Sequence, residues 1–588
     1  MTRSRTAAAF AALLALASPT LAGDLRVPLD HPTIASAIAA AGAADRVVVQ
    51  AGTYSENIVL KNGVEVLGGY DASFQDATRD PSVNVTTIDG GGIAAAVTAN
   101  NSTSATVCDG FRITGGGGSP GCGVLVTGGS PRFANNEITG NRQAGAAGGV
   151  YISGGSTATF ENNNVHDNSS LGSGGGFHIL NSAPVLIANT IEDCVAPNAG
   201  GGIYAFNSAV YCSAAVMRAN RSGEGGGGAV RIQATPSGAR FADCTIDACS
   251  SPYGGAILVK DAANVVLSDC DITNCSADPF GAAPLQAGGG LAIFPFCSAT
   301  LTDVRFDQCS ATGAGNSFGG AVYCQTGSIT FDGVDATDPA PSASMTGCSA
   351  GFRGGAMYAD SSSGVVQGVF IANCSAGDVG GGIHIEESTF TVQENVISGC
   401  TANDGGGISI RGVFGTSPQS LVLNNTIYRC TALLTGGAGG GILHVGPANK
   451  NNARIAGNLI SHTLNGACVR CRPVSGTGTG SKPSINCTTL HVDPSNPTTT
   501  VIATGDGSCA SAFSSDASNR TGDPLFCQTP PFQLQSCSPD VNSLAALNCF
   551  VAVAGRLDRG AALTETHCGC GVFALESVSW GMVKSLYR

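Results

Sequence analysis

The sequence predicts an all-β fold, a parallel β-helix solenoid, and three observations carry that prediction. Glycine-rich corners recur at a nearly constant interval. Short runs of alternating apolar and polar residues follow each corner. Asparagine or cysteine then returns at two fixed offsets. Residues 380–404, GGGIHIEESTFTVQENVISGCTAND, hold one whole unit, and the next begins at Gly405.

The interval is read from the apolar residue after each corner: Val124, Val150, Phe177, Ile203, Val230, Ile257, Leu291, Val322, Met357, Ile383, Ile408 and Ile442. A period in the twenties that tolerates insertions is the mark of a stacked array, in which one unit cannot bury its apolar face alone. Within 380–404 the β-prone runs are GIHI, TFTV and NVIS. Alternation turns Ile383, Ile385, Phe390 and Val392 inward and His384 outward. Three short strands per unit, each stacked on the unit before, make the coil.

Two inward columns follow. The first holds Asn136, Asn163, Asn189, Cys244, Cys270, Asn395, Asn425 and Asn458. The second holds Asn141, Asn168, Cys194, Asn220, Cys249, Cys275, Cys309, Cys348, Cys374, Cys400 and Cys430. Stacked asparagines satisfy one another and the backbone as ladders, and cysteine is a small apolar substitute in the same space. Neighbouring coils lie about 4.8 Å apart with parallel side chains, a poor match to the roughly 3.8 Å Cβ separation of a disulfide, so these thiols are expected to be reduced. The glycines are expected at corners that need positive φ or have no room for a side chain. They recur in every coil and no Lys-Ser/Thr pair follows, which argues against a phosphate-binding loop.

At the N-terminus, Arg3 and Arg5 precede an Ala- and Leu-rich run ending near Ala22, so residues 1–22 read as a secretory signal peptide. A short apolar helix pattern follows Pro32 and Thr33, placed to cover the open end of the solenoid. Repeats are expected over 23–462, the regular coils over about 121–462. Residues 463–576 read as a cysteine-rich C-terminal cap region. Residues 577–588, SVSWGMVKSLYR, are either a sorting motif or a final packed strand or helix. Of the 24 cysteines, Cys468, Cys471, Cys487, Cys509, Cys527, Cys537, Cys549, Cys568 and Cys570 fall in this last part, where an exported chain favours disulfides over zinc.

Composition narrows the partners. Gly 84 in 588 residues is about twice the usual share, while 43% hydrophobic residues support a buried core rather than disorder. A net charge of −13 disfavours nucleic acid and anionic lipid. No stretch beyond the signal is apolar enough over enough residues to span a bilayer as a helix. The chain reads as a monomer, secreted or held at the bacterial envelope.

Over residues 24–462 the chain resembles the right-handed parallel β-helix repeat family, the pectate-lyase-like superfold. Gly254-Gly-Ala-Ile257, Gly319-Gly-Ala-Val322, Phe133-Ala-Asn-Asn136 and Phe160-Glu-Asn-Asn163 also look like the repeats of chlamydial polymorphic outer-membrane proteins. That resemblance implies the fold. For activity it spans adhesins, autotransporter passengers and polysaccharide lyases.

Candidate function lies in the outward columns of the first strand. Tyr151, His178, Tyr204, Tyr323, Tyr358 and His384 share one column, where rings either stack on sugars or stack on each other and stiffen the sheet. Two residues on, Asp360, Glu386 and Arg411 occupy successive coils. The resemblance to pectate-lyase-like enzymes implies acidic Ca²⁺ ligands and an arginine base at such a place. A surface ion pair is the plainer alternative. The leading expectation is a non-catalytic exported protein, adhesive and glycan-binding or an envelope scaffold, with no cofactor. The alternative is a Ca²⁺-dependent polysaccharide lyase.

Overall fold

The computed structural model describes residues 23–521 except 121, 144–146, 279–284, 314–315, 334–340, 413–418, 435–437, 447–452, 474–482, 487, 492–501, 503–506 and 516–518. The expected signal peptide, the last twelve residues and Cys487, Cys527, Cys537, Cys549, Cys568 and Cys570 lie outside the described residues.

Among the described residues every strand pairing is parallel and joins one coil to the next. The first strands of the coils form a front sheet of 15 strands. Its register follows the sequence alignment without a slip: Val124 pairs with Val150, Phe177 with Ile203, Met357 with Ile383, and Ile408 with Ile442. In the unit at 380–404 the strands are Ile383–Glu386, Thr389–Gln393 and Val396–Ser398, as the alternation predicts. A fourth strand of two residues, Thr401–Ala402, was not legible as a strand, because two residues carry no periodicity. It belongs to an 11-stranded ladder of its own.

The interior is one continuous core of the inward residues, with Phe133, Phe160, Phe241, Phe306, Phe331 and Phe390 among its largest fully buried side chains. Polar groups enter it only as ladders. The Asn163 Oδ1 accepts the Asn136 backbone N–H and the Asn136 side-chain amide, both at 3.0 Å, and the Asn136 Nδ2 also donates to the Cys108 carbonyl at 3.0 Å. Asn395, Asn425 and Asn458 repeat the pattern. In the second column Asn168 Nδ2 donates to the Ile138 carbonyl, and the thiols keep this bond: Cys374 Sγ lies 3.4 Å from the Met345 carbonyl and Cys430 Sγ 3.7 Å from that of Ile397. Cys374, Cys400 and Cys430 are free, buried thiols, as are the other column cysteines.

Both reasons for the corner glycines hold. Gly380 has φ +69°, and a Cβ there would sit 2.6 Å from the Ile383 carbonyl oxygen. Gly381, with ordinary φ, would place one 2.5 Å from the carbonyl oxygens of Gly406 and Thr401.

The N-terminal helix is Ile34–Ala40, opened by a capping box between Thr33 and Ser36, with Ile34, Ala37 and Ile38 buried. At the other end the stack runs past His462. Ala467–Pro473 pairs with Gly439–Gly446, Ser484–Asn486 with Ala453–Ala456, and Arg520–Thr521 with Thr489–His491. The glycine signal stops there, while the coil does not. Cys471 is joined to Cys509 by a disulfide, and Cys468 is a buried free thiol.

Candidate functional site

Residues Asp360, Glu386 and Arg411 do lie on successive coils of the front sheet. They do not act as a trio. Glu386 Oε1 is 2.6 Å from the Arg411 guanidinium, and Oε2 is 3.0 Å from both Arg353 and the Tyr358 hydroxyl, which donates to it. Burial alone would raise the Glu386 carboxyl, but contact with His384 and the charges of Arg353 and Arg411 outweigh it and hold it at about 2. Burial also pushes His384 below its usual value. With both Glu386 oxygens engaged, only Asp360 remains to hold a hard cation, and its one described partner is the Ser361 hydroxyl. Among the described residues no group of three or more His, Cys, Asp or Glu is placed to hold a metal ion. The trio therefore does not fit a Ca²⁺ site.

Of these side chains Arg353, His384 and Arg411 border a cleft of about 570 Å³. Its floor is the last stretch of the front sheet: His384, Ser409, Leu443 and Arg470 in one outward column, Arg411, Val445 and Arg472 in the next. Its wall is a column that sequence reading missed, four residues before each alignment point. Ser173 bridges to Ala199 there, Tyr253 to Ala287, Phe318 to Arg353, and Val379 to Asp404. The same offset in every coil was available as a signal, but the residues precede the glycines and lie outside the alternating runs.

Four arginines line this cleft and pair with three carboxylates, Glu386, Asp378 and Asp404, of which Asp378 also lines it. Arg353 binds Asp378 at 2.9 Å besides Glu386, and Asp404 takes Arg470 at 2.8 Å with Arg472 at 3.8 Å. Asp404 is nearly fully buried and also accepts the Gly405 and Gly439 backbone N–H groups. Each guanidinium carries five donors, so the carboxylates leave donor capacity and one net positive charge. Two further groups have no hydrogen-bond partner: both ring nitrogens of His384, whose Nε2 stands 3.5 Å from Glu386, and the hydroxyl of Ser409. Both residues are fully buried and both line the cleft. Val379, Leu443 and Val445 pack together as an apolar strip beside them.

The aromatic column divides in two. Tyr323, Tyr358 and His384 point outward but are buried, so they are not open to a sugar ring. Tyr323 stacks on Tyr358 at 5.6 Å and Tyr358 on His384 at 5.4 Å, while Tyr253, Leu285, Phe294 and Phe318 roof Leu258, Ala292, Tyr323 and Tyr358. Tyr151, His178 and Tyr204 are only half-buried. Their wall residues are small: Ser173 and Ala199, with Gly226 following.

A family profile described as right handed beta helix region matches residues 50–214 and 122–340. The chain is a right-handed parallel β-helix. No curated protein matches it. Among solved structures, this β-helix is similar to a mannuronic acid specific polysaccharide family 6 lyase from human gut microbiota, at 11% identity and TM-score 0.30 over 69% of this chain and 83% of that one. It is also similar to the A-module of a mannuronan C-5 epimerase from Azotobacter vinelandii, at 14% identity and TM-score 0.20 over 76% and 93%.

Proposed function

We propose that this chain is an exported β-helix protein that binds an acidic polysaccharide in the arginine-lined cleft without cleaving it. The observation that carries this reading is the set of four arginines, Arg353, Arg411, Arg470 and Arg472, that line one cleft in a chain of net charge −13. Guanidinium forks match carboxylate geometry. The engagement of Glu386 by Arg353, Arg411 and Tyr358 supports binding over turnover, because it ties up the group a cation-dependent lyase would need.

Titration calorimetry with a polyuronate and with a neutral glucan tests this. The polyuronate should bind, more weakly as salt rises, and Arg411→Ala with Arg472→Ala should lower its affinity at least about tenfold, the scale of a lost charge-assisted bond. Equal binding of the neutral glucan would overturn the acidic specificity. Calcium-dependent release of unsaturated sugar products, abolished by Arg411→Ala, would overturn the non-catalytic reading.

A further inference from the structure

Upstream on the same face lies an arginine with no carboxylate partner among the described residues. Arg231 occupies the outward column between Tyr204 and Leu258, in register with both. It is 8% exposed, its Nε has no hydrogen-bond partner, and its NH1 donates to the Gly225 carbonyl. Among the described residues no carboxylate comes within ion-pair distance of it. Asp261 acts on it only at longer range, and that carboxylate is engaged by Gln233 Nε2 at 2.6 Å, while Gln233 Oε1 accepts the Tyr204 hydroxyl at 2.8 Å. A buried guanidinium without a carboxylate is expensive to maintain, so an anion from outside is the missing partner.

The neighbours of Arg231 suit a sugar chain. Its guanidinium lies over the Tyr204 ring at 5.8 Å, and the half-buried rings of Tyr151, His178 and Tyr204 follow at 5.1 and 5.0 Å spacing. The small wall residues Ser173 and Ala199 leave His178 and Tyr204 only half-buried, whereas the roofed coils with Tyr253 and Phe318 begin just beyond Arg231. Arg231 and Arg470 stand in one column, joined strand by strand through Leu258, Ala292, Tyr323, Tyr358, His384, Ser409 and Leu443. The coil of Arg231 is six steps from that of Arg411, about 29 Å at the usual strand spacing.

We infer that the front sheet carries a second site for the same acidic polysaccharide, formed by Arg231 with Tyr204, His178 and Tyr151, and that one long chain engages both sites. This rests on the cleft binding an acidic glycan. Two linked sites raise affinity only for a ligand able to span them, so affinity should climb steeply with chain length.

Binding of a long polyuronate and of an oligouronate too short to span about 29 Å is compared for the wild type, Arg231→Gln, Tyr151→Ala and Arg411→Ala, with thermal unfolding as the fold control. Tyr151 is half-exposed, so its variant keeps the test open if Arg231→Gln unfolds. Arg231→Gln and Tyr151→Ala should each weaken the polymer at least about tenfold and leave the short oligomer unchanged. Unchanged polymer affinity in both, with Arg411→Ala still weakening the oligomer, overturns the second site and leaves the cleft standing. Unchanged oligomer affinity in Arg411→Ala overturns the cleft reading and the two-site proposal with it.

Discussion

His384 follows the strand alternation and points away from the core, yet none of it reaches solvent. Tyr358 stacks on one side, and Glu386 stands 3.5 Å away. Burial depresses its proton affinity, so the unfolded chain binds a proton that the folded chain refuses. Stability from this residue is therefore present above the unfolded value, about 6.5, and is lost as pH falls below it. Glu386 adds a second loss at lower pH, between the ordinary carboxylate range and about 2. The melting temperature should accordingly begin to fall below about pH 6.5, and His384→Phe, which retains the stacking, should remove that first limb while leaving the lower one. An unchanged profile in the variant would show that His384 does not titrate on unfolding. The candidate residues themselves were legible from their column. Their burial and the Arg353 contact were not, because both come from a residue four positions before the next alignment point, packed on the sheet from outside.

At the scale of the coil, local chemistry and stacking constrain each other. The sequence places positive φ at the corner glycines, and the structure adds it at non-glycine residues just before the ladder positions, among them Asn135, Asn162, Asp243, Asp269, Asn373 and Glu394. Such conformations cost about 1–2 kcal/mol each outside glycine and persist where the surroundings over-determine them; here the ladder bonds of the next residue do so. Two glycines separate conformational cost from crowding. Gly155 has φ +72° and nothing within 4 Å of an added Cβ, whereas Gly380 has φ +69° and the Ile383 carbonyl oxygen at 2.6 Å. Gly155→Ala should cost about 1 kcal/mol, and Gly380→Ala about 2 kcal/mol more from overpacking, measured by urea unfolding. Equal costs would mean the corner relaxes freely. The thiol column teaches a related point. Cysteine replaces asparagine because its sulfur still reaches the carbonyl of the preceding coil, which composition alone does not reveal.

For the whole molecule, the ends matter as much as the repeats, since a parallel stack offers an open edge at each terminus. The helix Ile34–Ala40 lies against the first strands and buries Ile34, Ala37 and Ile38. Ile38→Asp should lift it and expose that edge, giving oligomers on size-exclusion chromatography while the unfolding of the later coils changes little; a monomeric variant would show that the helix is not the cap. The sequence by itself determined the coil: its period, its register, the inward and outward faces and the two ladders, because each depends on residues only a few positions apart and is repeated a dozen times. Tertiary structure alone decided which outward residues are open. That depends on the wall residue packed against each strand and on the arginines that later coils bring alongside Glu386 and Asp404, contacts between residues 25 to 66 apart in sequence that no local pattern encodes.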